Sequence, residues 1–171
     1  MLLPMTRRRE EAQPPHNPHE DWTVRRADSD RFVCQLDALL RRLGDVHLRI
    51  SVARLAPDDG HRNDALMVEA IADNLLDPCA MSGVMPDGSV VAAFLGPRSD
   101  SGTVGDEETA RRIRRQFQRA VGVAANYGAP GPQRLVIIHG WTDQIRDLPA
   151  LTHEFQAARQ QAKAMNHIQA A

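Results

Sequence analysis

A turn signal between two short apolar arms constrains the fold of this chain more than any other feature of its sequence. Asp87-Gly88 is a strong signal for a two-residue β-turn, and residues 80–85 and 90–95 form its arms. Apolar residues recur at helical spacing both before and after this hairpin. The sequence therefore predicts helices combined with a sheet that contains at least one antiparallel strand pair.

Four segments with helical spacing and terminal signals predict helices. The first begins at Asp28 or Ser29 and ends at Gly44, and the others begin near Asn63, near Asp106 and at Asp147. Their expected buried faces include, among others, Phe32 and Leu36 in the first helix, Leu66, Met67, Ala70, Ile71 and Leu75 in the second, and Ala110, Ile113, Phe117 and Val121 in the third. Two further strands are predicted, one over 46–53 from its alternation and one over 135–138 from its apolar run.

The resulting order, α-β-α-β-β-α-β-α, contains a β-α-β-β-α-β core, which is the ferredoxin-like split-βαβ arrangement. We expect an α+β fold with an antiparallel sheet, helices packed on one face, and extra helices at the N- and C-terminal ends. Residues 1–22 carry four prolines among charges and predict a disordered tail. One domain is then expected over 23–168.

Charge and cysteine content limit the function classes. A net charge of -1 gives no global attraction to nucleic acid or to an anionic membrane. The two cysteines, Cys34 and Cys79, predict buried reduced thiols and no disulfide framework. No apolar run is long enough to cross a bilayer and no signal-peptide core is present. We expect a cytoplasmic protein without a membrane span.

Four segments, taken in order, resemble those of a GGDEF-type domain, which has the nucleotidyl-cyclase fold and belongs to bacterial signalling. They are the helix start Asp28–Phe32, the hairpin and strand Met85–Pro97, the helical stretch Glu107–Arg119, and the closing helix from Leu148 to Ala164. The resemblance runs from about residue 24 to residue 168. It implies the same βαββαβ core.

The same resemblance implies a catalytic site that this chain lacks. Active members hold two divalent ions between a carboxylate in strand one and another in the signature turn. Here the signature falls on 87–91, so that Ser89 takes the ligand position. If the signature is aligned two residues earlier, Asp87 becomes the ligand. Met85 and Pro86 then stand where the family has the glycines that let a phosphate approach the backbone closely. Strand one has Ser-Val-Ala-Arg at 51–54 where the other acid is implied.

Two other expected segments are also missing. The Asn-Asp that reads guanine is absent before Gly60-His61, and the upstream Arg-x-x-Asp that binds cyclic dinucleotide is replaced by Pro78–Met81. We therefore expect a degenerate GGDEF-type domain that is not an enzyme, with no catalytic residues, no metal and no cofactor. Asp87, Gly88 and Ser89 are interpreted as a vestigial signature turn.

The first functional hypothesis is a non-catalytic regulatory or scaffolding protein that binds another protein or itself. Its possible interaction surface is on the third helix, where the face opposite Ala110 and Ile113 carries Arg111, Arg112, Arg115 and Arg119. The simpler interpretation is a solvated face, because the pairs Glu107/Arg111 and Glu108/Arg112 are spaced to form ion pairs along the helix.

Two alternatives remain open. The domain could bind a nucleotide or cyclic dinucleotide without turnover through His139 and Asp87, although a strand-end histidine with an ordinary hydrogen bond is the simpler interpretation of His139. It could also bind nucleic acid through the basic helix face. An aromatic content of 4% argues against a base-stacking RNA module.

Overall fold

A computed structural model describes residues 18–58, 64–75, 81–96, 102–128 and 131–169. The elements of these residues, in chain order, are the helix α1 (Pro18–Leu43), the strand β1 (Arg49–Pro57), α2 (Ala65–Asp73), β2 (Met81–Val84), β3 (Val90–Leu95), α3 (Gly102–Ala124), a short 3-10 helix (Ala125–Tyr127), β4 (Gln133–Trp141) and α4 (Leu148–Gln169).

The four strands form one antiparallel sheet in the order β2-β3-β1-β4. The central strand β1 pairs with β4 from Arg49↔Trp141 to Pro57↔Gln133, and with β3 from Ile50↔Leu95 to Leu55↔Val90. The strands that flank α2, β1 and β2, therefore run in the same direction with β3 between them. The strands that flank α3, β3 and β4, also run in the same direction and have β1 between them. The prediction of an α+β fold with an antiparallel sheet is confirmed.

Both faces of the sheet are covered by helices. One face packs against α2 and α3, and its core is formed by Ala53, Leu55, Met67, Ile71, Val90, Ala92, Phe94, Ile113 and Phe117, with others. The other face packs against α1 and α4, and its core includes Phe32, Leu36, Leu40, Ile50, Val52, Val91, Ala93, Leu151 and Phe155. Residues 90–94 are buried without alternation, as a strand covered on both sides must be. The prediction that the helices pack on one face thus holds for α2 and α3 only.

Helix α1 begins earlier than predicted. It starts at Pro18 and not at Asp28 or Ser29, so the expected tail boundary at residue 22 falls inside it. Proline is favoured at the first helical position, and no proline or glycine interrupts the segment before Gly44. The apolar spacing begins only near Phe32 because that part of the helix meets the sheet. The rest of the expected tail, 1–17, lies outside the described residues.

Other boundaries also move. Strand β1 begins after the predicted residue 46 and continues to Pro57, because its pairing with β4 continues that far. Helix α2 starts at Ala65, where the Asp64 side chain accepts a hydrogen bond from Leu66 N at 2.8 Å. Leu66, expected in the core, is 48% exposed. Helix α3 starts at Gly102 and not near Asp106.

The hairpin turn is one residue longer than predicted. Met85 N donates to Ser89 O at 2.8 Å, so the loop consists of Pro86, Asp87 and Gly88. Gly88 has a φ of 78°, which is the left-handed conformation that glycine adopts without strain.

Glycine at position 83 allows α1 to contact the sheet closely. A β-carbon at Gly83, in the edge strand β2, would lie 2.4 Å from Cδ2 of Phe32. The Phe32 ring therefore occupies the space that a side chain at position 83 would fill. Full burial of a phenylalanine side chain stabilises a fold by about 2 kcal/mol.

Two further expectations can be compared with the structure. Cys34 was expected to be buried but is exposed, because it lies on the side of α1 that faces away from the sheet; Cys79 lies outside the described residues. Among the helices of the described residues, none combines the length and apolar character needed to span a bilayer.

Candidate functional site

The hairpin turn is held by an arginine from the central strand. The guanidinium of Arg54, in β1, forms an ion pair through Nη2 with Asp87 Oδ2, and its Nε donates to Ser89 Oγ at 3.2 Å. We call Arg54, Asp87 and Ser89 the turn cluster. It joins β1 to the loop between β2 and β3, at the end of β1 where Leu55 pairs with Val90.

Both carboxylate oxygens of Asp87 have partners inside the turn cluster. Oδ1 accepts hydrogen bonds from Ser89 N at 3.0 Å and from Ser89 Oγ at 2.6 Å, while Oδ2 is paired with Arg54. Burial alone would raise the pKa of Asp87, but the hydrogen bonds from Ser89 and the charge of Arg54 outweigh it and lower the pKa below its ordinary value. Asp87 is therefore an ionised carboxylate whose charge is neutralised by a neighbouring side chain.

This arrangement bears on metal binding. Arg54 belongs to the part of strand one in which the resemblance implies a metal-binding acid, and it supplies a positive charge there. A guanidinium at the carboxylate opposes the approach of a divalent cation. Among the described residues, no group of three or more His, Cys, Asp or Glu side chains is placed to hold a metal ion.

A second polar cluster lies on the other face of the sheet, between β1, β4 and the start of α3. Arg49 donates from Nε to Asp106 Oδ1 at 3.1 Å and from Nη2 to Asp106 Oδ2, which makes a bidentate pair with both side chains 24% exposed. Ser51 Oγ and His139 Nδ1 are hydrogen-bonded at 2.8 Å across the β1–β4 register. We call Arg49, Ser51, Asp106 and His139 the cleft cluster.

The cleft cluster brings a serine, a histidine and an aspartate together without forming a nucleophilic triad. Asp106 Oδ1 lies 3.9 Å from His139 Nδ1, which is the same nitrogen that Ser51 contacts. In a triad the serine and the acid use different ring nitrogens, so that the histidine can take a proton from one side while the acid orients it from the other. Ser51 is also buried, with 4% of its surface exposed. The arrangement does not activate Ser51.

His139 is held in its neutral form. Burial lowers its pKa, the Asp106 charge opposes that effect, and the charges of Arg49 and Arg114 add to it, so the pKa lies below its ordinary value. The hydrogen bond to Ser51 agrees with the simpler interpretation of His139 as a strand histidine with a satisfied partner. Because Nδ1 contacts Ser51, Nε2 is the ring nitrogen left to interact with a ligand.

A cleft of about 480 Å³ opens beside this cluster, between α3 and β4. It is lined by Asp106, Glu107, Ala110, Arg111, Arg114, Leu135, Ile137 and His139. Of these residues, His139 and Arg111 were predicted as candidates from the sequence, whereas Arg114, Asp106 and the cleft itself were not.

The structure does not bring His139 and Asp87 together. His139 shares its face of β4 with Leu135 and Ile137, which pack against the α2–α3 core. Arg54, which holds Asp87, shares its face of β1 with Ile50 and Val52 on the opposite side of the sheet. A ligand site built from both residues is therefore not formed.

The arginines predicted as an interaction surface are exposed on α3: Arg111, Arg112, Arg115 and Arg119. The expected pair of Arg111 with Glu107 is present at 3.4 Å. The expected pair of Arg112 with Glu108 is not formed, and none of Arg112, Arg115 and Arg119 has an ion pair with another described residue. These three side chains present unneutralised charge to the solvent.

Comparison of the chain with family models, with curated proteins and with solved structures gave no match.

Proposed function

We propose that this chain is a non-catalytic regulatory or scaffolding protein of bacterial signalling, located in the cytoplasm, whose degenerate GGDEF-type domain binds another protein or a second copy of itself. The observation that supports it best is the turn cluster. In that cluster, Asp87 is the acid that the resemblance leaves at the signature turn, and both of its oxygens are taken up by Ser89 and Arg54. Without two cations, the cyclase reaction that the resemblance implies cannot proceed.

The exposed arginines of α3 are the proposed interaction surface. Arg112, Arg115 and Arg119 are spaced three and four residues apart, which places them along one line of the helix over roughly 10 Å. Arginine forms bidentate hydrogen bonds with carboxylates, so the surface suits an acidic region on a partner protein. The chain as a whole has a net charge of -1, so the basic character of this surface is local.

The lack of catalysis is tested directly with substrate. Incubation of the purified protein with GTP and either magnesium or manganese should yield no cyclic di-GMP by mass spectrometry. As a positive control, an active diguanylate cyclase in the same buffer should form it. Detection of product above the buffer blank would overturn the proposal.

The interaction surface is tested by charge reversal. Cross-linking in cells, followed by purification, should recover a defined partner or a covalent dimer with the native chain. The double variant Arg112→Glu/Arg115→Glu should lose it. The matched control is Arg42→Glu, which reverses an exposed charge in the last turn of α1. Retention of the same cross-linked species by the double variant, with its fold verified by circular dichroism, would contradict the proposed surface.

Nucleic acid is the competing partner for the same arginines. Binding to a generic DNA duplex or RNA should be absent in fluorescence polarisation at physiological salt. Binding that weakens steeply with added salt, and that is lost in the double variant, would replace the protein partner with nucleic acid.

A further inference from the structure

The cleft between α3 and β4 has two chemically different parts. Leu135 and Ile137 from the edge strand and Ala110 from α3 form an apolar part. His139 and Arg114 line the cleft as well. Arg114 carries guanidinium donors, and Nε2 of His139 is a donor in the tautomer whose Nδ1 accepts from Ser51. Its volume, about 480 Å³, lies in the range of small-molecule sites.

The acids of the cleft each have an arginine partner within the protein. Asp106 is held by the bidentate contact of Arg49, and Glu107 pairs with Arg111 at 3.4 Å. Arg114 has no ion pair with another described residue, and His139 has Nε2 left over after its contact with Ser51. The groups of the cleft that have no hydrogen bond or ion pair with another described residue are therefore the Arg114 guanidinium and one imidazole nitrogen of His139.

We propose that this cleft binds a small organic anion that joins one oxyanion group, a carboxylate or a phosphate, to an apolar body. The oxyanion contacts Arg114 and His139, and the apolar body covers Leu135, Ile137 and Ala110. Arg49 takes no part in binding because Asp106 engages it; its role is to cancel an acid that would otherwise repel the ligand. Such binding goes beyond the proposed protein interaction and does not depend on it.

The test is a titration of the full chain, labelled with nitrogen-15, and followed by two-dimensional NMR. Three probes, each with eight carbon atoms, separate charge from shape: octanoate, octyl phosphate and the neutral octanamide. The amides of Ala110, Ile137 and His139 should shift on saturation with an anionic probe. Octanamide should bind at least about tenfold more weakly, since hydrogen bonds to charged groups are the stronger ones. The relative affinities of octanoate and octyl phosphate identify the oxyanion.

Two variants one position apart on α3 complete the test. Arg114→Gln removes the cation that lines the cleft, whereas Arg115→Gln removes a neighbouring exposed cation that does not line it. Arg114→Gln should weaken the anionic probes about tenfold and bring them level with octanamide, while Arg115→Gln should leave binding unchanged. The proposal is overturned if no saturable shift occurs at the cleft, if octanamide binds as tightly as the anions, or if both variants weaken binding equally.

Discussion

The turn cluster and the cleft cluster are built on the same plan and differ in what they leave free. In each, an arginine of β1 contacts a carboxylate from outside that strand. The serine of the turn cluster bonds both members of its pair, whereas the serine of the cleft cluster bonds His139 instead. Arg54 and Arg49 lie on one strand, yet their clusters belong to opposite faces of the sheet. In the turn cluster, each carboxylate oxygen of Asp87 is paired internally. In the cleft cluster, His139 Nε2 and the adjoining Arg114 remain available.

The difference shows how the same residue types give a closed structural cluster or an open binding site. Asp87 and Arg54 satisfy each other within a tight turn, and their role is to fix the loop between β2 and β3. Asp106 and Arg49 also pair with each other, but at the edge of a cleft, and the unpaired charge that remains beside them is positive. A polar cluster is therefore judged by its unpaired groups and by the space beside them, and not by its composition.

The largest expected effect comes from breaking the two acid–arginine pairs separately. Asp106→Asn leaves a largely buried guanidinium without its charge partner, and should lower the free energy of unfolding by about 2 kcal/mol. Asp87→Asn acts on a pair that is 36% and 53% exposed and therefore screened by solvent, so it should cost only about 0.5 kcal/mol. Urea denaturation of both variants measures the difference. Equal losses would contradict the distinction between the clusters.

Ser89→Ala should have an intermediate effect. Ser89 is fully buried, its hydroxyl donates to Asp87 and accepts from Arg54, and alanine leaves both partners with one contact fewer. We expect a loss of about 1 kcal/mol in urea denaturation. Thr152→Ala is the matched control, since Thr152 is exposed and donates only to Leu148 O in its own helix, and it should change little. If both variants are equally stable, the turn cluster does not stabilise the hairpin.

The smallest effects should appear in the dependence of stability on pH. His139 has a folded pKa below its unfolded value of 6.5, so the unfolded chain binds more protons as the pH falls below that value, and stability falls with it. Asp87 has a folded pKa below 3.8, so its contribution is present above pH 3.8 and is lost as the pH falls through the folded pKa.

The two contributions therefore occupy separate pH windows. His139→Gln should reduce the loss of stability that begins below pH 6.5, and Asp87→Asn should reduce the loss that begins below pH 3.8. Urea denaturation of each variant and of the native chain measures both effects. A profile of His139→Gln that matches the native chain between these two values would show that His139 is not held neutral by its cluster.

The sequence predicts the local parts of this fold well because their signals are local. Asp87-Gly88 marks the hairpin, and the spacing of Ala110, Ile113 and Phe117 marks the buried face of α3. The start of α1 at Pro18 was not predicted because the sequence before Asp28 carries no apolar periodicity. The second helical layer was missed because alternation in one strand does not show which helices cover each face.

The sites could be predicted only in part, for a related reason. Alternation along strand one places Arg49 and Ser51 on one face, but their partners Asp106 and His139 are 57 and 88 residues away in sequence. Only the strand order, with β4 beside β1, brings His139 to Ser51. Without the strand order, His139 is an isolated candidate in the sequence. It was therefore predicted to act with Asp87, whose partner Arg54 lies on the opposite face of the sheet.

The space at Gly83 allows helix α1 to cover part of the edge strand β2. Strand β2 is an edge of the sheet and receives its cover on this face from Phe32, which precedes the first strand in the chain. If α1 were removed, the apolar face of this edge strand beside Gly83 would be exposed to solvent, and exposed apolar edge strands recruit strands from other molecules. We therefore expect a version of the protein shortened to its βαββαβ core to be less soluble than the whole chain.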